Sequence, residues 1–123
     1  MSLYGFDDTN WTDDQRAALR IIADAAKRSE TLTYGELVEA IRRPEYIAVS
    51  VGKRLLDDVD RLTYDVAGCA ISAIVVNSET RVSGKGLNDI GEDLGIEGAR
   101  RFGFRDKQQQ DVFDYFQAYR DQV

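Results

Sequence analysis

The chain has 123 residues, a length typical of one domain, and 43% of them are hydrophobic, which is enough to form a core. It contains no histidine and one cysteine, which excludes an internal disulfide, Ser-His and Cys-His nucleophile pairs, and a structural zinc site. The formal net charge of −6 disfavours DNA binding overall, because affinity for phosphate comes mostly from lysine and arginine.

The sequence also indicates a soluble protein without cofactors. The longest apolar run, residues 73–76, is far shorter than the roughly 20 residues that cross a bilayer. The N-terminus has neither the basic region nor the apolar stretch of a secretory signal. We therefore expect a single cytoplasmic domain over residues 1–123, with no membrane association.

The N-terminal part predicts an arm followed by a helix. Residues 1–11 are interpreted as a loose arm whose apolar members could dock on the core: Leu3, Tyr4 and Phe6. Thr12 and Gln15 then form a capping-box pattern, in which each residue's side chain satisfies a free backbone amide of the other. Apolar residues recur behind it at helical spacing, which predicts a first helix over 13–28.

Two further helices are predicted. A short extended segment over 31–33 leads into a second capping-box pattern, Thr33 and Glu36. The helix that follows should stop before Pro44, because the residue preceding a proline is pushed out of the helical region. A third helix begins at or just after Pro44. Its apolar stripe is Ile47, Val51, Leu55 and Val59, with Leu62 near its end.

The pattern changes after Cys69. The dense apolar run over 70–77 (AISAIVVN) predicts a buried strand, and the turn-rich segment over 78–86 (SETRVSGKG) predicts a short hairpin. A short helix is expected around 87–94, and the last helix starts near Asp106. This last helix has an apolar stripe that should belong to the core, with Phe113 beside it: Val112, Phe116, Tyr119 and Val123. The fold class is therefore α+β.

Three segments share a common order with a known family: TLTYGELVEAIRRPEY, SVGKRL and ISAIVVNSETRVSGKG. Together they resemble the C-terminal domain of O6-alkylguanine-DNA alkyltransferases and alkyltransferase-like proteins. In that family, a T-Y-G-E-L-A helix start is followed by a proline, an R-A-V-G segment on the recognition helix, a P-C-H-R-V strand and a glycine hairpin. The resemblance covers about residues 31–87 and implies a winged-helix-like fold, with three N-terminal helices, a buried strand, a hairpin wing and a C-terminal helix.

The resemblance also implies that the reactive residues are lost. It places Ala73, Ile74 and Val75 where the family has its cysteine, histidine and arginine, with Gly84 in register as the hairpin glycine. Alkyl transfer needs a thiolate activated by a neighbouring base, and neither group is present. Because all three replacements are apolar, we expect the old pocket to be filled as core. Cys69 lies four residues earlier; we interpret it as a buried small side chain, with a cryptic nucleophile as the alternative.

The DNA-contacting features of the family are partly kept. Tyr34 matches the tyrosine that helps to turn a nucleotide out of the stack, and Gly52 matches the glycine of the recognition helix. The arginine that fills the space of the displaced base corresponds to Val49, so the wedge that base flipping normally needs is missing. The segment between Pro44 and Gly52 is one residue longer than in the family pattern.

Several charged or aromatic clusters have two interpretations. Two pairs of adjacent basic residues, Arg42-Arg43 and Lys53-Arg54, could contact phosphate. They could equally be surface residues that form ion pairs with nearby carboxylates. The acidic residues Asp57, Asp58 and Asp60 could serve a metal-dependent nuclease, but a solvated acidic surface is preferred. Arg100 and Arg101 precede two phenylalanines, Phe102 and Phe104, which could stack on nucleic-acid bases but are expected to pack on the C-terminal helix.

The leading hypothesis is a non-catalytic winged-helix-like binding module with a protein partner or an adaptor role. The alternative is a DNA-binding regulatory or DNA-sensing protein that contacts double-stranded DNA without alkyl transfer. The surface to test comprises Tyr34, Arg42, Arg43, Ser50, Lys53 and Arg54. A carboxylate–metal nuclease is the third and least favoured class.

Overall fold

The computed structural model describes residues 2–41, 54–77 and 86–118. The helices are α1 (Asp13–Lys27), α2 (Tyr34–Ile41), α3 (Leu56–Ala67), α4 (Gly86–Asp93) and α5 (Phe104–Ala118), with a 3₁₀ helix at Ile71–Ile74. The strands are β1 (Ser2–Leu3), β2 (Phe6–Asp7), β3 (Leu32–Thr33) and β4 (Val75–Val76). The fold is mixed and mostly helical, which agrees with the predicted α+β class. The expected hairpin wing lies almost entirely outside the described residues.

The N-terminal segment is a hairpin docked on the core, so the loose arm is wrong, whereas the expected docking of its apolar side chains is confirmed for Tyr4 and Phe6. Tyr4 (φ 53°) and Gly5 (φ 88°) form a two-residue turn that pairs β1 antiparallel with β2. Such turns need positive φ at both central residues. The Tyr4 ring meets Phe116 of α5 at 5.6 Å between centroids, and the Tyr115 hydroxyl donates to the Tyr4 carbonyl at 2.6 Å. Burial of Tyr4 and Phe6 in this aromatic cluster holds the segment in place.

Both predicted capping boxes are present. At α1, the Thr12 hydroxyl accepts the Gln15 amide at 3.1 Å, and the Gln15 side chain accepts the Thr12 amide at 2.9 Å. At α2, the Glu36 carboxylate accepts the Thr33 amide at 2.8 Å, and the Thr33 hydroxyl accepts the Glu36 amide at 3.0 Å. The α1 boundaries agree with the predicted 13–28 to within one residue. The beginning of the third predicted helix, and the approach to Pro44, lie outside the described residues.

The predicted strand over 70–77 is mostly a 3₁₀ helix, and only Val75–Val76 is a strand, paired parallel with Leu32–Thr33. The physical reason is a tertiary contact. The Asp60 carboxylate of α3 accepts the Ser72 amide at 3.0 Å and the Ser72 hydroxyl at 2.6 Å, while the Ala73 amide donates to the Ala70 carbonyl at 3.1 Å. The first turn of the 3₁₀ helix is thus capped from another element.

The core centres on the 3₁₀ helix, which packs against α1, α3 and α5. Two glutamines of α5 fix its backbone: the Gln108 side-chain oxygen accepts the Ala70 amide, and the Gln109 amide group donates to the Ala73 carbonyl, both at 2.9 Å. The predicted apolar stripe of the last helix is confirmed for Val112 and Phe116, which are fully buried; Tyr119 and Val123 lie outside the described residues. Among the described helices, none combines the length and apolar composition that crossing a membrane requires.

Candidate interaction surface

The three residues that the resemblance matches to the reactive triplet are core residues. Ala73, Ile74 and Val75 have no exposed surface. The Ala73 carbonyl accepts the hydrogen bond from Gln109 described above, so α5 covers this position. The sequence-based expectation that these apolar side chains fill space in the core is confirmed.

Cys69 is also buried, as predicted. Burial raises the pKa of its thiol to about 12, and the nearby carboxylate of Asp111 adds to this effect. The thiolate is the nucleophilic form of cysteine, so a thiol with such a pKa is almost entirely unreactive near neutral pH.

We therefore expect Cys69 to react with a thiol-specific reagent such as Ellman's reagent only when the protein unfolds. In native buffer at pH 8, the labelling rate should follow the rate of global opening, and denaturant should bring it to that of a free cysteine. The measurement is the absorbance of the released thiol over time. Stoichiometric labelling of the folded protein within minutes would contradict a buried, inert thiol.

The acidic residues of α3 do not form one solvated cluster, so that expectation is wrong for Asp60. Asp58 is exposed and Asp57 is half-buried, but Asp60 is fully buried against the 3₁₀ helix. Burial raises the pKa of Asp60 to about 7, although the hydrogen bonds from Ser72 oppose this. Among the described residues, no group of three or more potential ligand side chains is arranged to hold a metal ion.

Two of the six predicted binding residues lie in the described part of the chain. Tyr34 is the first residue of α2, and its half-buried ring packs against the core. Arg54 is exposed, two residues before α3 begins. The other four lie outside the described residues: Arg42, Arg43, Ser50 and Lys53. The structure therefore places the predicted basic surface only at Tyr34 and Arg54.

The outer face of α3 carries two exposed apolar side chains. Leu62 is 43% exposed and Val66 is 53% exposed, and their i, i+4 spacing places them on one side of the helix. The exposed carboxylates of Asp58 and Asp65 lie on the same side. Leu62 was expected near the end of the apolar stripe of the third helix, but the side chain is exposed, and Val66 was not singled out. Spacing alone does not reveal the exposure of Val66, because it lies seven residues after the buried Val59 and three after the buried Thr63.

Ion pairs connect α3 to α4 and α4 to the turn that follows it. Arg61 of α3 contacts Asp93 at 3.3 Å. Arg100 in the turn donates to Glu92 at 2.8 Å and 2.6 Å, and also to Asp89. The acidic side of α4 is therefore partly neutralised by arginines from both neighbours.

The two phenylalanines after Arg101 have opposite environments. Phe104 is buried, and its ring fits against Gly91, where an added Cβ would lie 2.8 Å from the Phe104 ring. Phe102 is fully exposed. Both rings were expected to pack on the C-terminal helix, which is wrong for Phe102. Phe104 is buried, but it is itself the first residue of that helix and its ring packs against Gly91 of α4.

No protein-family model matches the chain, and neither a curated protein nor a solved structure does.

Proposed function

We propose that this protein is a non-catalytic binding module whose partner is a protein, in an adaptor role. The observation that carries the proposal is the outer face of α3, where Leu62 and Val66 remain about half exposed although the helix has a complete buried face. Paired apolar side chains with a charged surround are typical of a protein-binding site. The helix ends cleanly at Gly68, in the left-handed conformation, so this face is built on a regular element.

The surrounding charge favours a protein over a nucleic acid. Asp58 and Asp65 flank the apolar pair, and carboxylates repel phosphates. The partner that fits is an apolar surface rimmed by lysine or arginine. The burial of Ala73, Ile74 and Val75 supports the absence of alkyl transfer, because these positions offer no open reactive site.

The second candidate is DNA binding through the surface from Tyr34 to Arg54. Its support is the exposed guanidinium of Arg54, which lies just before α3 on the segment that the resemblance assigns to DNA contact. It is less favoured because Asp57 and Asp58 follow within four residues and offset the charge of Arg54. This candidate predicts salt-sensitive binding to duplex or lesion-bearing oligonucleotides that Arg54→Ala weakens. An unchanged anisotropy at low salt and micromolar protein would remove it.

We expect the double substitution Leu62→Ser/Val66→Ser to weaken partner binding about 30-fold. Removing two half-exposed apolar side chains from an interface costs about 2 kcal/mol, and each 1.4 kcal/mol changes an affinity tenfold. The measurement is quantitative capture from nuclease-treated extract of the native host, with the wild-type chain and the variant compared partner by partner. Gln110→Ser, at an exposed position on α5, is the matched control.

Both substitutions leave the net charge unchanged, so a difference in capture reports the apolar pair and not general electrostatics. The variant should unfold within a few degrees of the wild type, because both side chains already contact solvent. Equal recovery of every captured protein by the wild type and the α3 variant would contradict the proposal.

A further inference from the structure

The most exposed large apolar side chain in the described chain is Phe102, whose relative exposure is 108%. It lies at the tip of the turn that joins α4 to α5. Phe104, two residues later and the first residue of α5, is by contrast buried. Phe102 therefore contributes nothing to the core of this chain.

The turn before Phe102 is fixed by specific contacts. The Asn88 side chain donates to the Ala99 carbonyl at 2.7 Å, and the Arg101 amide donates to the Gly98 carbonyl at 2.9 Å. Two hydrogen bonds from the Arg100 guanidinium to the Glu92 Oε1 atom join the same turn to α4. These contacts hold the turn, so presentation of its tip requires little further ordering, and a preorganised anchor loses less entropy on binding.

The turn also depends on close packing and on special backbone conformations. Gly98 (φ 79°) and Gly103 (φ 86°) adopt left-handed conformations on either side of the tip. Beneath it, Phe104 packs against Gly91, where a larger residue would clash with the ring. The tip is therefore attached to a closely packed base.

The charges around Phe102 distinguish between possible partners. Arg101 and Arg105 are exposed, and so are Glu97 and Asp106, so these four residues together carry no net charge that would attract a polyanion. A phosphate backbone gains little from such a balanced surround. Among the described residues Arg101 forms no ion pair, and Arg105 approaches only Asp106, at 3.9 Å. The guanidinium of Arg101, the residue before Phe102, is thus available to a carboxylate of another protein, and that of Arg105 has only this long contact to exchange for one.

We propose that Phe102 is an anchor that inserts into an apolar pocket on a protein partner, where carboxylates at the rim of the pocket meet Arg101 and Arg105. An aromatic side chain with neighbouring arginines is the composition that dominates binding energy at protein interfaces. The inference deepens the protein-binding function proposed above and rests on it, but it concerns a separate surface with a separate test.

The test places the photoreactive residue benzoylphenylalanine at position 102 of the full chain in the native host. Position 110, exposed on α5, is the control. We expect a protein adduct at 102 and not at 110, on a partner peptide that contains apolar residues beside aspartate or glutamate. Adding Arg101→Glu and Arg105→Glu should reduce the adduct at least about tenfold, since two charge-assisted contacts become repulsive.

A second measurement uses Phe102→Ala in the capture experiment. Recovery of the cross-linked protein should fall about 30-fold, while the thermal midpoint stays that of the wild type because the ring is exposed. No adduct at 102, equal adducts at 102 and 110, or an adduct removed by nuclease would each overturn the anchor. If the anchor is overturned but capture still depends on Leu62 and Val66, the proposed protein-binding function stands without the Phe102 anchor. Conversely, an adduct at position 102 that persists in the Leu62→Ser/Val66→Ser variant would show that Phe102 binds its partner independently of the α3 face.

Discussion

Asp60→Asn should make the protein more stable than the wild type at pH 8, by about 4 kcal/mol, and the difference should vanish towards pH 4. The pKa of Asp60 rises from its usual 3.8 to about 7 in the folded protein, mainly because the carboxyl group is buried. The folded state therefore retains a proton that the unfolded chain releases above pH 3.8. Stability is lost as the pH rises from about 4 to 7, at about 1.4 kcal/mol per pH unit, and is level above that range.

Asparagine imitates the protonated carboxylic acid at this position. Its side-chain oxygen accepts the Ser72 amide, and its NH₂ group donates to the Ser72 hydroxyl, so both contacts survive without a titrating group. The measurement is urea unfolding of both proteins from pH 4 to pH 8. Asp58→Asn, on the exposed side of the same helix, is the control and should change stability by less than about 0.5 kcal/mol. A pH-independent difference between wild type and Asp60→Asn would show that Asp60 is not buried against Ser72.

Val75→Arg, which restores the charged residue that the resemblance assigns to this position, should unfold the protein. Val75 has no exposed surface and pairs with Leu32 in the small parallel sheet. An unpaired charge in such a site costs several kcal/mol, which is comparable with the total stability of a small domain. Circular dichroism should show loss of the cooperative thermal transition.

The matched control is the same substitution on the outer face of α3. Val66 is 53% exposed, so Val66→Arg should leave the free energy of unfolding within about 0.5 kcal/mol of the wild type. Comparison of Val75→Arg with Val66→Arg separates the effect of burial from the effect of replacing valine by arginine. A folded Val75→Arg protein with a wild-type melting temperature would mean that the segment at Ala73–Val75 is open to solvent, as a working alkyltransferase site would require.

The parts of the fold that depend on neighbours in sequence could be predicted. The two capping boxes at Thr12 and Thr33 are local patterns, and both form as expected. The stripes of α1 and α5 could be predicted for the same reason, because helical periodicity and burial coincide there.

The parts of the fold that depend on contacts between residues distant in sequence could not be predicted. The 3₁₀ helix forms where Asp60, which lies 12 residues earlier, caps Ser72, and a dense apolar run does not distinguish this from a buried strand. The N-terminal hairpin is held by Tyr115, which lies 111 residues from Tyr4. Such contacts are invisible to spacing arguments.

For the candidate surface, too, local patterns predicted some features and missed those that depend on tertiary packing. Sequence patterns favoured the basic residues near Pro44, most of which lie outside the described residues, and treated Phe102 like Phe104. The exposure of Leu62, Val66 and Phe102 follows from how α3 and the turn after α4 sit on the core, which no local pattern specifies.

The most direct test of a protein-binding module is amide hydrogen exchange of the chain, alone and with the captured partner. We expect new protection in peptides from α3, within 56–67, and in the turn at 98–103, with unchanged exchange in α2 at 34–41. Protection confined to α2 and the adjoining basic segment, or the same protection produced by duplex DNA in place of the protein, would contradict it.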